Sequence, residues 1–228
     1  MTTIAAASLV VCFLVALSQT ASLEPPQQSP TWPPTFSVGF QEEQHVSVIP
    51  LSRNAGAWYY DFANRRARFD HSHGQYDSFC QRVGLSPKDK HGDCQLFFSS
   101  LGMHVHYPRE QICCRACGAE EGCTVLMPTW LTGATYMGTE TIGGLTCQGW
   151  VKPGAVATDR WYQTADGKPC QYWEKVTAFV PHVIHVITFN VSSYQLGPIP
   201  ASVFDVPKYC NVTCPKPYHP PHGVQGSP

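Results

Sequence analysis

The chain has 228 residues, and its 15 basic and 16 acidic side chains leave a formal net charge of −1. A charged fraction of 14% provides no electrostatic footprint for nucleic acid or for adsorption to an anionic membrane. The 20 prolines and 18 glycines follow no triplet period, which excludes collagen, and instead punctuate many short segments as an all-β domain requires.

The first segment, residues 1–22, reads as a signal peptide. Ile4 to Leu17 is almost continuously apolar, too short and too early for a membrane span. Ala16-Leu17-Ser18 or Thr20-Ala21-Ser22 supplies the small-x-small pattern of a cleavage site. Cleavage removes Cys12 and leaves ten cysteines, an even number that places the mature chain in an oxidising, secreted or luminal setting. Residues 23–34 hold five prolines and read as an extended linker. One domain follows over 35–214, and the Pro/His/Gly-rich stretch 215–228 reads as a disordered tail.

Within the domain, strand signals dominate. Trp58, Tyr60 and Phe62 share one face of an extended segment, Asn64-Arg65 turns the chain, and Ala67 and Phe69 then face in while Arg66, Arg68 and Asp70 face out. Met103 to Tyr107 alternates, with His104 and His106 on its polar side. Residues 134–141 pass through Gly143-Gly144 into 145–150, and residues 161–164 and 170–174 flank an Asp166-Gly167 turn, so each reads as a hairpin. Val183 to Phe189 is apolar on both faces and reads as a central, fully covered strand. Gln75 to Val83 and Thr129 to Leu131 supply at most short helical turns. The pattern predicts an antiparallel all-β architecture, a sandwich or a strongly curved sheet.

Several groups of residues carry potential chemistry, and each has a plainer alternative. The block Cys113-Cys114-Arg115-Ala116-Cys117 with Cys123 has zinc-knuckle spacing, but an oxidising compartment favours disulfides among Cys80, Cys94, Cys113, Cys114, Cys117, Cys123, Cys147, Cys170, Cys210 and Cys214. Cys147 and Cys170 lie on neighbouring hairpins and are the pair suggested by position. His71 with His73, and His104 with His106, each place two imidazoles on one side of an extended chain. The plainer reading is exposed polar residues, and His185, among apolar neighbours, reads as a hydrogen-bonded core histidine. Asp61, Asp70 and His71 read as a polar face paired with Arg66 and Arg68 rather than as an acid–base centre. No nucleophile elbow, protease-like cysteine signature or EF-hand-type calcium loop occurs. Trp130, Tyr136, Trp150, Trp161, Tyr172, Trp173 and Phe189 provide aromatic surface that could line an apolar pocket. Asn190-Val191-Ser192 and Asn211-Val212-Thr213 are N-glycosylation sequons.

The segments Tyr60 to Asp70 (YDFANRRARFD) and Pro200 to Cys210 (PASVFDVPKYC) resemble the opening hairpin and the closing segment of ependymin-related proteins. The Cys113–Cys123 block and the Cys147-Gln148-Gly149-Trp150 element depart from the vertebrate pattern and resemble a cysteine-enriched branch. The resemblance implies two stacked, curved antiparallel sheets similar to bacterial lipoprotein carriers, with a deep apolar pocket. It further implies lipid binding, homodimers, a calcium association without assignable ligands, and an extracellular or lysosomal location. By position in that family, Cys80 and Cys210 would form the bridge tying the two ends. The expectation is a secreted, glycosylated, non-catalytic β protein that binds a hydrophobic ligand between its sheets. Its rivals are a matrix or adhesion protein acting through its surface, and a metal-dependent hydrolase requiring His71, His73, His104 and His106 to converge.

Overall fold

The computed structural model describes residues 28–177 and 180–216. The signal-peptide segment 1–22, with Cys12, and residues 217–228 of the predicted tail lie outside the described residues. The strands are β1 (Thr35–Val46), β2 (Ile49–Asp61), β3 (Arg66–His71), β4 (Cys94–Ser99), β5 (Gly102–Tyr107), β6 (Ile112–Cys117), β7 (Thr135–Ile142), β8 (Leu145–Pro153), β9 (Ala157–Gln163), β10 (Pro169–Val176) and β11 (Val183–Leu196). One five-residue helix, α1 (Ser78–Arg82), follows β3. The all-β antiparallel class therefore matches the sequence reading.

The strands form one continuous sheet in the order β6-β5-β4-β3-β2-β1-β11-β10-β9-β8-β7. The two halves of the chain join through β1, which pairs with both β2 and β11 over nearly its full length. A single sheet can still enclose a core if it curls. Trp58 on β2 and Trp161 on β9 stand four strands apart, which would be roughly 19 Å in a flat sheet. Yet their rings lie 5.2 and 4.7 Å from the same Trp32 ring. The sheet is therefore strongly concave on the face these residues share.

Trp32 itself corrects the linker reading over the described part of that segment, residues 28–34, because it is buried at the centre of the main core cluster with Phe36, Val38, Phe40, Trp58, Tyr60, Trp150, Trp161 and Phe189. Its backbone N–H donates to Pro128 O at 3.0 Å, and the loop after β6 closes over the same face through Tyr60 Oη–H to Leu126 O at 2.7 Å and the buried Leu131. A second core cluster lies under β3–β6 and α1, built from Val83, Leu96, Met103, Val105, Tyr107 and several cysteines. β11 is central in strand order, but only Val186 and Phe189 of its 14 residues are buried, so it is not the fully covered strand expected. No second layer of strands covers its convex side among the described residues.

All ten cysteines after Cys12 pair: Cys80–Cys94, Cys113–Cys210, Cys114–Cys214, Cys117–Cys123 and Cys147–Cys170. The Cys80–Cys210 bridge implied by the family resemblance is not formed, and strand alternation explains why. Cys94 shares the concave side with His71, opposite it on β3. Cys113 pairs with His106 on the convex side, where Cys210 meets it. A Cys80–Cys210 bond would have to pass through the sheet. Residues 212–214 instead wrap the edge strand β6, with Arg115 N–H donating to Val212 O and Cys214 N–H to Arg115 O. Adjacent cysteines of β6 thereby receive one bridge on each face. The start of the predicted tail is also held, since Lys216 N–H donates to Val83 O at 2.9 Å.

Cys113–Cys210 and Cys114–Cys214 close almost the same loop, with sequence separations of 97 and 100. Each is therefore partly redundant while the other stands. Replacing either pair with alanines is expected to cost roughly 2 kcal/mol, and replacing both roughly 6–7 kcal/mol, more than the sum. Urea unfolding of the three variants checks this; additive losses would overturn it.

Candidate functional site

The concave face is divided along the strands. Toward one end, Phe36, Val38 and Phe40 of β1 face Tyr60 and Trp58 of β2, Phe189 of β11 and Trp161 of β9, making the aromatic region. Two residues further along β1, the same inward alternation brings Glu42 and Gln44 into buried positions. The face thus changes from aromatic to ionic without leaving the sheet.

Glu42 sits between two imidazoles. Its Oε1 lies 2.7 Å from His185 Nε2 and its Oε2 lies 3.1 Å from His71 Nε2. Asp77 Oδ2 stands 3.5 Å from the same His71 Nε2, so the two carboxylates share that one nitrogen. Asp77 also caps α1, its Oδ1 accepting from the backbone N–H groups of Phe79 and Cys80 at 3.0 and 2.8 Å. Beyond His185, Glu174 Oε2 lies 3.6 Å from Nδ1. The Tyr172 hydroxyl donates to Asp159 at 2.7 Å and its ring packs against His185.

Burial opposes charge on Glu42, His185, His71, Asp77 and Asp159, and pairing overcomes it for the first three. Burial would raise the Glu42 carboxyl, but hydrogen bonds from His185 and His71 and their positive charges bring it down to about 2. Burial would also lower His185, but hydrogen bonds to Glu174 and Glu42 and their charges push it up to about 10. His71 is raised as well, against its burial, by the charge of Asp77 and the hydrogen bond and charge of Glu42. Asp77 and Asp159 remain raised by burial, Asp159 to about 6. His71, Asp77 and Cys80 offer ligand atoms close together, but Cys80 is consumed by its bond to Cys94, and this trio is not a metal centre.

The seven aromatic residues predicted to line a pocket divide between the two faces. Trp150, Trp161 and Phe189 lie in the core cluster, and Trp130, Tyr136 and Tyr172 pack against it. Trp173 is the exception. It pairs with Arg160 and Val186 on the convex side, where the Arg160 guanidinium stacks over it at 4.3 Å. Its neighbour Tyr172 faces in, so alternation sends Trp173 out. Sequence reasoning missed Trp32, hidden among prolines, and the Glu42–His71–Asp77–His185 array, whose members come from four separate elements. Phe36-x-Val38-x-Phe40 carried a readable alternation, but the polar Glu42 and Gln44 that continue it conceal the strand.

The four histidines of the hydrolase reading do not converge. His71 is on the concave face and His73 is exposed beyond the end of β3. His104 and His106 lie on the convex face, opposite Phe97 and Gln95. They are also buried, at 4% and 5% exposure, rather than solvated. The C-terminal segment reaches His106, whose Nε2 meets Tyr209 Oη at 2.7 Å while Nδ1 meets Gln95 Oε1 at 2.9 Å. Burial and the nearby Arg68 charge lower His106 to about 4. His185 is the hydrogen-bonded interior histidine expected. Asp61 pairs with Arg66 and Asp70 with Arg68, as the polar-face reading has it. Arg68 also donates to Val203 O at 2.8 Å and Arg66 stacks on Phe204, so residues 60–70 and 200–210 meet on the convex side. An open groove of about 580 Å³ lies on that side as well, lined by Gln41, Glu43, Arg53, Ala55 and Thr188 among others.

Fold and site together define a disulfide-tied, antiparallel β protein whose single curved sheet holds an aromatic and an ionic region on its concave face. The chain belongs to the DUF8395 family, a domain of unknown function, which matches residues 31–210. No curated protein matches the chain. Among solved structures it is similar to an uncharacterized conserved protein from Thermus thermophilus, with 11% identity, TM-score 0.45, and coverage of 78% of this chain and 89% of that one. It is also similar to a LolA superfamily protein from Nitrosomonas europaea, with 8% identity, TM-score 0.38, and coverage of 77% and 92%. A DUF1329 family protein from Desulfovibrio piger shares 10% identity at TM-score 0.35, with coverage of 75% and 90%.

The ionic array has a pH signature. His185 ionises near 10 folded and 6.5 unfolded, so its contribution is complete below about 6.5 and fades as pH rises toward 10. Glu42 ionises near 2 folded and 4.5 unfolded, so its contribution is complete above about 4.5 and is lost as pH falls toward 2. The Glu42→Gln variant is therefore expected to lose about 3 kcal/mol between pH 4.5 and 6.5, with a smaller deficit at pH 9. Chemical unfolding of both proteins across pH measures it. A deficit growing steadily toward pH 9 would contradict the array.

Proposed function

We propose that the protein binds an apolar ligand bearing a hydrogen-bond acceptor, such as an acyl chain with its ester or carboxylate head, against the aromatic concave face and without catalysis. The observation that carries this reading is a set of four buried indole N–H groups, on Trp32, Trp58, Trp130 and Trp150, with no acceptor among the described residues. One such unpaired donor costs about 1–3 kcal/mol. Four on one side of one sheet make an apolar surface with donors already in place, which suits an amphiphile better than a pure hydrocarbon.

Trp32 occupies the centre of this surface, with Trp58, Tyr60, Trp130 and Trp161 around it at 4.7–5.6 Å. Its segment lies outside the strands and is held by the Trp32 N–H to Pro128 bond and a bond from Ser29 Oγ to Ala134 O at 3.3 Å. A ligand would gain access by displacing that segment, trading Trp32 contacts for its own.

A secreted or luminal setting, supported by the five disulfides, belongs to the same proposal. So does glycosylation at Asn190 and Asn211, both exposed. The relationship to ependymin-related proteins, with the calcium association and dimerisation it implies, is also proposed. Its support is that the two segments carrying the resemblance pack against each other.

Delipidated protein titrated with a fluorescent fatty-acid analogue is expected to show saturable binding that quenches tryptophan emission. Trp32→Ala is expected to bind roughly tenfold more tightly, because a cavity left by the indole removes the competitor for the same surface. Absence of probe binding by both proteins, with no lipid in an organic extract of native protein, would overturn the proposal.

A further inference from the structure

The end of the sheet nearest the β1–β2 turn is aliphatic across five strands. In register, Ile49 of β2 pairs with Val46 of β1, Val46 with Val183 of β11, Val183 with Val176 of β10, and Val176 with Ala157 of β9. No Asp, Glu, Lys or Arg occurs in residues 46–52, 153–157 or 180–184. Val48 and Val180, which lie outside the strands at this end, are 91% and 90% exposed, and Ile49 and Leu51 are more than half exposed.

Single exposed aliphatics are ordinary on protein surfaces, but a charge-free cluster drawn from separate loops at one end of a sheet is not. The turn itself departs from the usual chemistry. Ser47 takes a positive φ of 55°, where glycine, asparagine or aspartate is the common choice, and the most exposed position of the turn is given to valine. A local rule is broken here in favour of an aliphatic tip.

We propose that this sheet end docks the protein to a phospholipid bilayer by inserting the exposed side chains of Val48 and Val180 among the lipid head groups. A bilayer fits the dimensions. Four exposed aliphatic side chains, those of Val48, Ile49, Leu51 and Val180, fall well short of the roughly 800 Å² and 20–30 residues per partner that a stable protein interface buries, whereas shallow insertion at the head-group boundary requires only a small apolar area. The nearest charged groups stand back from the tip in a position to meet head groups. Lys175 pairs with Ile184, one position behind the aliphatic row, and Arg53 lies against Glu43 at 3.6 Å. The proposal concerns the outside of the molecule and does not depend on a ligand on the concave face.

Flotation of the full chain with phosphatidylcholine vesicles tests it, at low and high salt. Wild-type protein is expected to float with the vesicles in both. Val48→Asp and Val180→Asp should each lower the bound fraction about tenfold, because a charged side chain replaces an inserting one, with unchanged thermal unfolding. Leu101→Asp and Leu196→Asp, at exposed leucines elsewhere, should float like wild type. Failure of the wild type to float, equal losses in all four variants, or binding abolished by salt would each overturn the proposal. So would a wild-type dimer in sedimentation velocity that Val48→Asp dissociates, since that outcome assigns the tip to a second copy. Fatty-acid probe binding on the same samples reports the concave face separately.

Discussion

Each strand residue must commit to one of two faces of a single uninterrupted sheet, and most other features of the molecule follow from that constraint. Alternation along β1 points Phe36, Val38 and Phe40 inward, and the same alternation forces Glu42 and Gln44 inward after them. It sends Tyr172 in and Trp173 out. It splits the Cys113-Cys114 pair so that one bridge leaves each side. A register slip of one residue would reverse all of these at once.

The concave face is unusual in placing a buried ionic array directly beside an aromatic cluster. The arrangement is sustainable because no charge stands alone: Glu42 is shared by two imidazoles, and each imidazole has a second carboxylate, Asp77 or Glu174. Removing one member would strand its partners in a low-dielectric interior, which is costlier than never having buried them. The array also joins both halves of the sheet, since His71 belongs to β3 and His185 to β11 with Glu42 between them on β1.

The convex side solves a different problem. Edge strand β6 would present unpaired backbone groups, but residues 212–214 cover it and two disulfides anchor the segment there. The preceding stretch lies against Arg66 and Arg68, each of which pairs with an acid while also contacting Val203 or Phe204. The C-terminal segment therefore does the work of a second layer over β3–β6. Over β1, β2 and β11 nothing described takes that role, which leaves the open groove beside Gln41 and Thr188.

The sequence alone determined the local pattern: an all-β chain, the 58–69 hairpin with its wet and dry sides, an oxidised set of ten cysteines and most of an aromatic face. Period-two alternation and turn chemistry act over a few residues, so they are legible without the fold. Tertiary structure alone decided how the strands share faces. His106 read as solvated because no local signal reports that Tyr209, a hundred positions later, will meet it. Trp32 read as linker because its partners lie 4 to 129 positions away, and the Cys80–Cys210 pairing failed because sequence position carries no information about which side of a sheet a thiol reaches. Glu42 carries no local signal among its polar neighbours, and only the convergence of β1, β3, β11 and the start of α1 makes it the centre of a buried array.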